Sequence, residues 1–263
     1  MSTGDGFDVR SLAVTYRNGH HLPVHSHPWA QLIYARSGVL RVSAGGRLWI
    51  TPPTRAIWIP HGTEHEIHFK GEAALRTLYV SPERGHFVGT SVRALEVAPL
   101  LRELIVHIVA VGMLDPRRPE HERLAAVLMD LVSAAPETDL MLPLPRDPRA
   151  LKLAQVLQSA PGERQSLEAL VADTGASLRT LQRCFVEETG ITIESWRQKA
   201  RLIHSAAALA EGATVLNASL TCGYDSASAF IAAFRKQFGM TPRRFRLASD
   251  SLENRESVSV QSP

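Results

Sequence analysis

Between about residues 8 and 81, apolar positions fall in short alternating or continuous runs. Gln31-Leu32-Ile33-Tyr34-Ala35, Val39-Leu40-Arg41-Val42, Arg47-Leu48-Trp49-Ile50 and Ala56-Ile57-Trp58-Ile59 are separated by glycine and proline. Runs of this length predict strands. Ala44-Gly45-Gly46 between two of them predicts a hairpin, because glycine supplies the positive φ of a tight turn. A small β-barrel or sandwich follows. From Pro99 the period lengthens: Leu100, Leu101, Leu104, Ile105, Ile108 and Val111, then Leu124, Val127, Leu128 and Leu131, recur at helical spacing around a break at Asp115 to Pro119. This predicts a helical hairpin. Two helices cannot enclose a core of their own, so they pack on the β-domain, on a partner chain, or on both.

Pro136, Pro143, Pro145 and Pro148 disfavour both helix and central strand, which places an interdomain linker at 134–147. From Arg149 to about Phe245 the period is helical, with breaks that predict six or seven short helices. The expected organisation is a β-rich domain over 1–92, a hairpin over 93–133, the linker, a helical domain over 148–248 and a disordered polar tail over 249–263. The fold class is α+β.

Composition narrows this picture. A chain of 263 residues with 44% hydrophobic and 21% charged residues has material for two ordinary cores. The two cysteines, Cys184 and Cys222, exclude a disulfide scaffold and a cysteine-built zinc site. No stretch approaches the ~20 apolar residues of a membrane span, and MSTGDGFDVR lacks the features of a signal peptide, so a cytoplasmic protein with no membrane partner is expected. Residues 1–145 carry 14 Lys+Arg against 14 Asp+Glu, whereas residues 146–248 carry 14 against 9. The surplus positive charge therefore sits in the helical domain, where it suits either a polyanion or a solvated face.

Pattern favours the polyanion. Leu167 to Asp173 forms one helix, Thr174-Gly175-Ala176 a turn, and Ser177 an N-cap for a second helix through Glu187. That spacing is a helix-turn-helix or, more blandly, an αα-corner. Leu181 and Phe185 face inward and leave Leu178, Arg179, Gln182 and Arg183 outside. Arg and Gln there suit guanine, adenine or phosphate. Val215 to Cys222, a turn at Gly223-Tyr224-Asp225 and a helix from Ser226 through Phe238 repeat the arrangement. Phe230, Phe234 and Phe238 form its inner stripe, with Ala227, Ser228, Ile231, Arg235 and Lys236 turned toward solvent or DNA.

Gly223-Tyr224-Asp225-Ser226-Ala227-Ser228-Ala229-Phe230, followed by the run Phe234 to Arg246, resembles the signature of AraC/XylS-type bacterial transcriptional regulators. Leu181 to Phe185 and the long helix from Trp196 to Leu209 are also similar, so the resemblance covers about residues 150–246. It implies two helix-turn-helix motifs joined by a linker helix, with both recognition helices in the major groove about one turn apart. By position, Arg179, Gln182 and Arg183 read DNA in the first motif, and Ala227, Ser228 and Ile231 approach it in the second. Ala232 departs from the arginine common in the family, which shifts the expected base readout toward the first motif.

Eight of the eleven histidines lie between residues 20 and 86. In a strand, His25, His27, Trp29, Gln31 and Ile33 share one face, although Pro28 disturbs the alternation. His61 and His65 follow a later turn. These segments resemble the two cupin motifs, with Gln31 where glutamate is common. The resemblance implies a cupin barrel in which His25, His27, Gln31 and His65 converge on one divalent ion of Fe, Mn, Ni, Zn or Cu, or else line a polar pocket. Trp29, Tyr34 and Trp58 are candidate walls for an apolar or planar effector, or simply core.

The function expected from these features is a sequence-specific regulator. Its cupin domain senses a small molecule or metal and modulates binding to double-stranded promoter DNA. A homodimer is expected, with RNA polymerase as a further partner if the protein activates transcription. The alternative is a metal-dependent cupin enzyme fused to a DNA-binding domain. Against it stand the neutral Gln31 and the lack of an assignable acid–base pair, so no catalysis is expected.

Overall fold

The computed structural model describes residues 6–70, 72–159, 161–162 and 165–253. Backbone contacts divide the chain into two compact units, one comprising mainly Trp49–Leu140 with the preceding strands, the other mainly Met141–Asp250.

The first unit is built on antiparallel strands β1 (Val9–Tyr16), β2 (His21–His25), β3 (Ala30–Ala35), β4 (Val39–Ala44), β5 (Arg47–Thr51), β6 (Arg55–Ile59), β7 (His65–Lys70), β8 (Ala73–Val80), β9 (Arg93–Glu96) and β10 (Met113–Leu114). One sheet has the order β10-β1-β8-β3-β6-β9, and the other contains β5-β4-β7-β2. Hydrogen bonds do not join the two sheets into a closed ring among the described residues. Gly45 and Gly46, with φ of 59° and 69°, make the β4–β5 turn in the left-handed region where only glycine is unstrained.

Strand β3 is buried at every position, which explains its continuous apolar run. Its two faces serve different layers. Ala30, Leu32 and Tyr34 join Val9, Trp58, Leu78 and Val80 in a core closed by helices α2 (Pro99–Val111) and α3 (Pro119–Ala134). Leu101, Leu104, Ile105 and Ile108 of α2, and Ala125, Leu128, Met129 and Val132 of α3, form the buried stripe of that hairpin. The helices thus bury their apolar faces on the first sheet. A short helix α1 (Pro82–Gly85) precedes β9.

Three sequence expectations change. Residues 93–96, assigned to the hairpin, are strand β9, and they pair with β6. Tyr34 and Trp58 do not line the space between the sheets: Leu32 opposes Trp58 across β3–β6, and both face α2 and α3. The proline-rich stretch is not a free spacer, because proline carbonyls still accept hydrogen bonds. Glu96 N donates to Pro136 O at 2.9 Å, and Ile50 N donates to Leu140 O at 3.1 Å.

The second unit is all helical: α4 (Pro148–Ser159), α5 (Leu167–Val171), α6 (Leu178–Thr189), α7 (Ile193–Ala210), α8 (Val215–Thr221), α9 (Ala227–Phe238) and α10 (Pro242–Glu253). The side chains of Ser177, Thr192, Thr214 and Ser226 each accept from the backbone N–H three residues on, fixing where α6, α7, α8 and α9 begin. Such a cap contributes about 1 kcal/mol. Phe185 and Trp196 meet edge to face at 6.0 Å, and the Trp196 indole N–H donates to Pro143 O at 2.7 Å. A second core gathers Leu202, Ala206, Leu209, Ala218, Phe230, Phe234 and Phe245. Helix α10 runs through Glu253, so residues 249–253 are helical rather than tail; the rest of the expected tail, 254–263, lies outside the described residues.

Candidate functional site

Four of the predicted residues meet between the two sheets. Side-chain nitrogens of His25, His27 and His65 lie within 4.8 Å of one another, and His27 Nε2 is 3.0 Å from Gln31 Oε1. Strand β7 delivers His65 opposite His25 of β2. The loop before β3 delivers His27, whose carbonyl accepts from Gly62 N at 2.8 Å.

Each imidazole is oriented by its other nitrogen. His25 Nδ1 contacts Pro23 O at 2.7 Å, His27 Nδ1 contacts Trp29 O at 2.6 Å, and His65 Nδ1 contacts Thr63 O at 2.9 Å. A carbonyl accepts only, so Nδ1 carries a proton in all three rings and Nε2 is the nitrogen left to face the cluster. His65 is 1% exposed, and its Nε2 is buried without a hydrogen-bond partner. Burial pulls the His65 pKa from 6.5 down to about 4; the Thr63 carbonyl opposes this and the neighbouring His25 and His27 reinforce it. The ring is therefore neutral at ordinary pH, which is the form that ligates a cation.

These donors fit a divalent transition metal: three tautomerically fixed imidazoles, one of them an orphaned buried acceptor, and an amide oxygen. Sequence reading missed Thr77, whose hydroxyl accepts from Gln31 Nε2 at 2.9 Å and donates to Leu32 O at 3.1 Å. A threonine in a strand is unremarkable in sequence. Here it fixes the amide so that Oε1 points at His27. Tyr79, edge-on to His27 at 5.1 Å, closes one side of the cluster. Trp29 is buried with the Arg10 guanidinium 4.6 Å above its ring, and its indole N–H has no partner.

The second site lies on α6 and α9. Arg179, Gln182 and Arg183 are exposed on α6, while Leu178 is half-buried and Leu181 and Phe185 are fully buried beneath them. Arg183 Nε is 3.9 Å from Glu187 on the same face. On α9, Ser228, Ile231, Arg235 and Lys236 are exposed and Ala227 is half-buried. Phe230 and Phe234 are buried, and Phe238 packs against their cluster. Lys199 of α7 and Lys236 line one cleft, adding positive charge beside the second motif.

Two helix-turn-helix units on a common helix α7, preceded by a double-sheet domain with an inward histidine cluster, define a transcriptional regulator with a ligand-binding domain. Two family models agree. Residues 8–154 match the family described as "AraC-like ligand binding domain", and residues 170–248 match "Helix-turn-helix domain". The HTH-type transcriptional regulator NimR of Escherichia coli is 34% identical over 223 residues, covering 85% of this chain and 81% of NimR. The HTH-type transcriptional regulator RipA of Corynebacterium glutamicum is 37% identical over 103 residues, 39% of this chain and 31% of RipA. The crystal structure of ToxT from Vibrio cholerae superposes with a TM-score of 0.40 at 8% identity, covering 92% of this chain and 99% of ToxT. The chain belongs to the AraC family of DNA-binding transcriptional regulators. Its relatives are named as regulators, which agrees with the expectation of no catalysis. Among the described residues, no helix is long and apolar enough to cross a membrane.

Proposed function

We propose that this regulator couples occupancy of the His25–His27–Gln31–His65 cluster by a divalent transition metal to the affinity of its helical domain for promoter DNA. The observation carrying this reading is the buried, unpartnered Nε2 of His65, set beside two further imidazoles whose Nδ1 atoms are already engaged. An unpartnered buried acceptor costs about 1–3 kcal/mol, which a ligand would relieve. A bound ion supplies positive charge beside the neutral, buried ring of His65 and the Gln31 amide. Coupling follows only if the DNA-competent arrangement binds the ion with a different affinity from the incompetent one.

In this reading Arg179, Gln182 and Arg183 read bases, with Leu178, Ala227, Ser228 and Ile231 in apolar or backbone contact, and Arg235 and Lys236 grip phosphate. The protein acts as a homodimer through α2 and α3, and contacts RNA polymerase where it activates. A small organic effector is the second reading, favoured by the unpartnered indole N–H of buried Trp29.

The test is metal analysis of untagged protein together with fluorescence anisotropy on its own upstream DNA, before and after chelation. Stoichiometric metal whose removal shifts DNA affinity, with both effects lost in His65→Ala, supports the metal reading. Metal-free protein with unchanged DNA affinity after reloading overturns it and leaves the organic effector.

A further inference from the structure

Strand alternation gives β7 two chemistries. His65 and Ile67 point inward, while Glu66 and His68 stand on the outer face. On that face His68 lies directly across from His21 of β2, and Ser43 of β4 lies across from Glu66. His21 Nε2 is 3.3 Å and His68 Nε2 is 3.5 Å from the same oxygen, Oε2 of Glu66. The two imidazoles stack at 3.9 Å with planes 10° apart, so both nitrogens approach that oxygen from one side. One donor atom from each residue lies within 4.8 Å of the others.

We infer that His21, Glu66 and His68 form a second metal site, open to solvent, that takes a late first-row divalent ion such as Co, Ni, Cu or Zn. Two imidazoles and one carboxylate are the donor set such ions prefer over Mg or Ca. As hydrogen bonds the two nitrogen–oxygen contacts are long, since charge-assisted pairs usually close to about 2.7–2.9 Å. Exposed as they are, they contribute little by themselves. A cation at the point where they converge exchanges two long contacts for coordination. Ser43 hydrogen bonds to the Glu66 carboxyl, as an outer partner does in a built metal site. Three protein ligands leave coordination positions open. Arg41, opposite His68 on β4, adds a positive charge nearby and keeps the affinity modest.

The site is independent of the inward cluster, and the experiment separates the two. Untagged full-length protein, stripped with chelator, is titrated with Co(II) and followed by absorbance and calorimetry. Wild type is expected to take two equivalents. His21→Ala and His68→Ala each lose one of them, weakening that equivalent by about tenfold or more, with melting temperature unchanged because both side chains are exposed. His65→Ala loses the other equivalent. If the inward site is not a metal site, wild type takes one equivalent, abolished by His21→Ala and retained in His65→Ala, and the present inference stands. It is overturned if His21→Ala and His68→Ala bind the same number of equivalents at the same affinity as wild type.

Discussion

His27 Nε2 faces Gln31 Oε1 at 3.0 Å although His27 Nδ1 already contacts the Trp29 carbonyl at 2.6 Å. A neutral imidazole has one N–H, so one of these contacts sets a bare nitrogen against an oxygen lone pair. As the amide stands, its nitrogen donates to the Thr77 hydroxyl, which donates to Leu32 O, so Oε1 is the atom turned toward His27. A cation shared by both atoms resolves the conflict. Gln31→Glu, which adds a negative charge at that point, should tighten divalent metal binding by about tenfold or more, or ~1.4 kcal/mol. Competition against a chromophoric chelator measures this, and unchanged affinity would remove Gln31 from the ligand set.

Protons compete for the same pocket. The His65 pKa is near 4 in the folded protein against an ordinary 6.5, so the unfolded chain takes up a proton first as pH falls. The stability of metal-free protein should therefore drop between about pH 6.5 and pH 4, by roughly 3 kcal/mol in all, with no further loss from this group below pH 4. Urea denaturation of wild type and His65→Gln across this range isolates the contribution. Parallel pH profiles would show that His65 titrates alike in both states.

Arg183→Ala and Gln182→Ala should each weaken operator binding by about 1–3 kcal/mol while leaving the melting temperature unchanged, since both side chains are exposed. Lys236→Ala should instead lower affinity on all sequences and reduce the salt slope by about 1. Anisotropy titrations at several salt concentrations discriminate the two behaviours. An unaltered slope in Lys236→Ala would take that residue off the phosphate backbone.

Tyr34 carries a buried hydroxyl without a hydrogen-bond partner, and burial pushes its pKa up to about 12. Tyr34→Phe should stabilise the protein by about 1 kcal/mol, because the orphaned group is removed while the ring still fills the layer under α2 and α3. Calorimetry tests this. A loss of effector response in this variant, with stability intact, would return Tyr34 to the binding pocket.

These cases show where sequence is informative. The two helix-turn-helix units are legible because local chemistry specifies them: Ser177, Thr214 and Ser226 cap the helices, and the phenylalanines of α9 recur at one helical face. The histidine cluster is legible because rare residue types recur at close spacing. The faces of β3 are not. A strand buried on both sides loses its period of two, so nothing local marks which layer an aromatic such as Tyr34 enters. Trp58 takes its direction from pairing with Leu32, a register that no local signal encodes. The boundary between the two units falls inside the stretch from Pro136 to Pro143, as the prolines predict, but the stretch also makes contacts that no local pattern signals. Proline lacks a donor, but its carbonyl accepts, and both Pro136 and Pro143 use theirs.

Helix α7 packs against α4, α6, α8 and α9, and its Arg201 Nε donates to Pro161 O at 2.7 Å. Both motifs thus lean on one continuous 18-residue helix and share its rigidity. Each base pair inserted between two half-sites turns the second by about 34° around the duplex axis. A protein whose two reading heads cannot swivel separately will count base pairs, so promoter spacing becomes as much a part of its recognition code as the letters themselves.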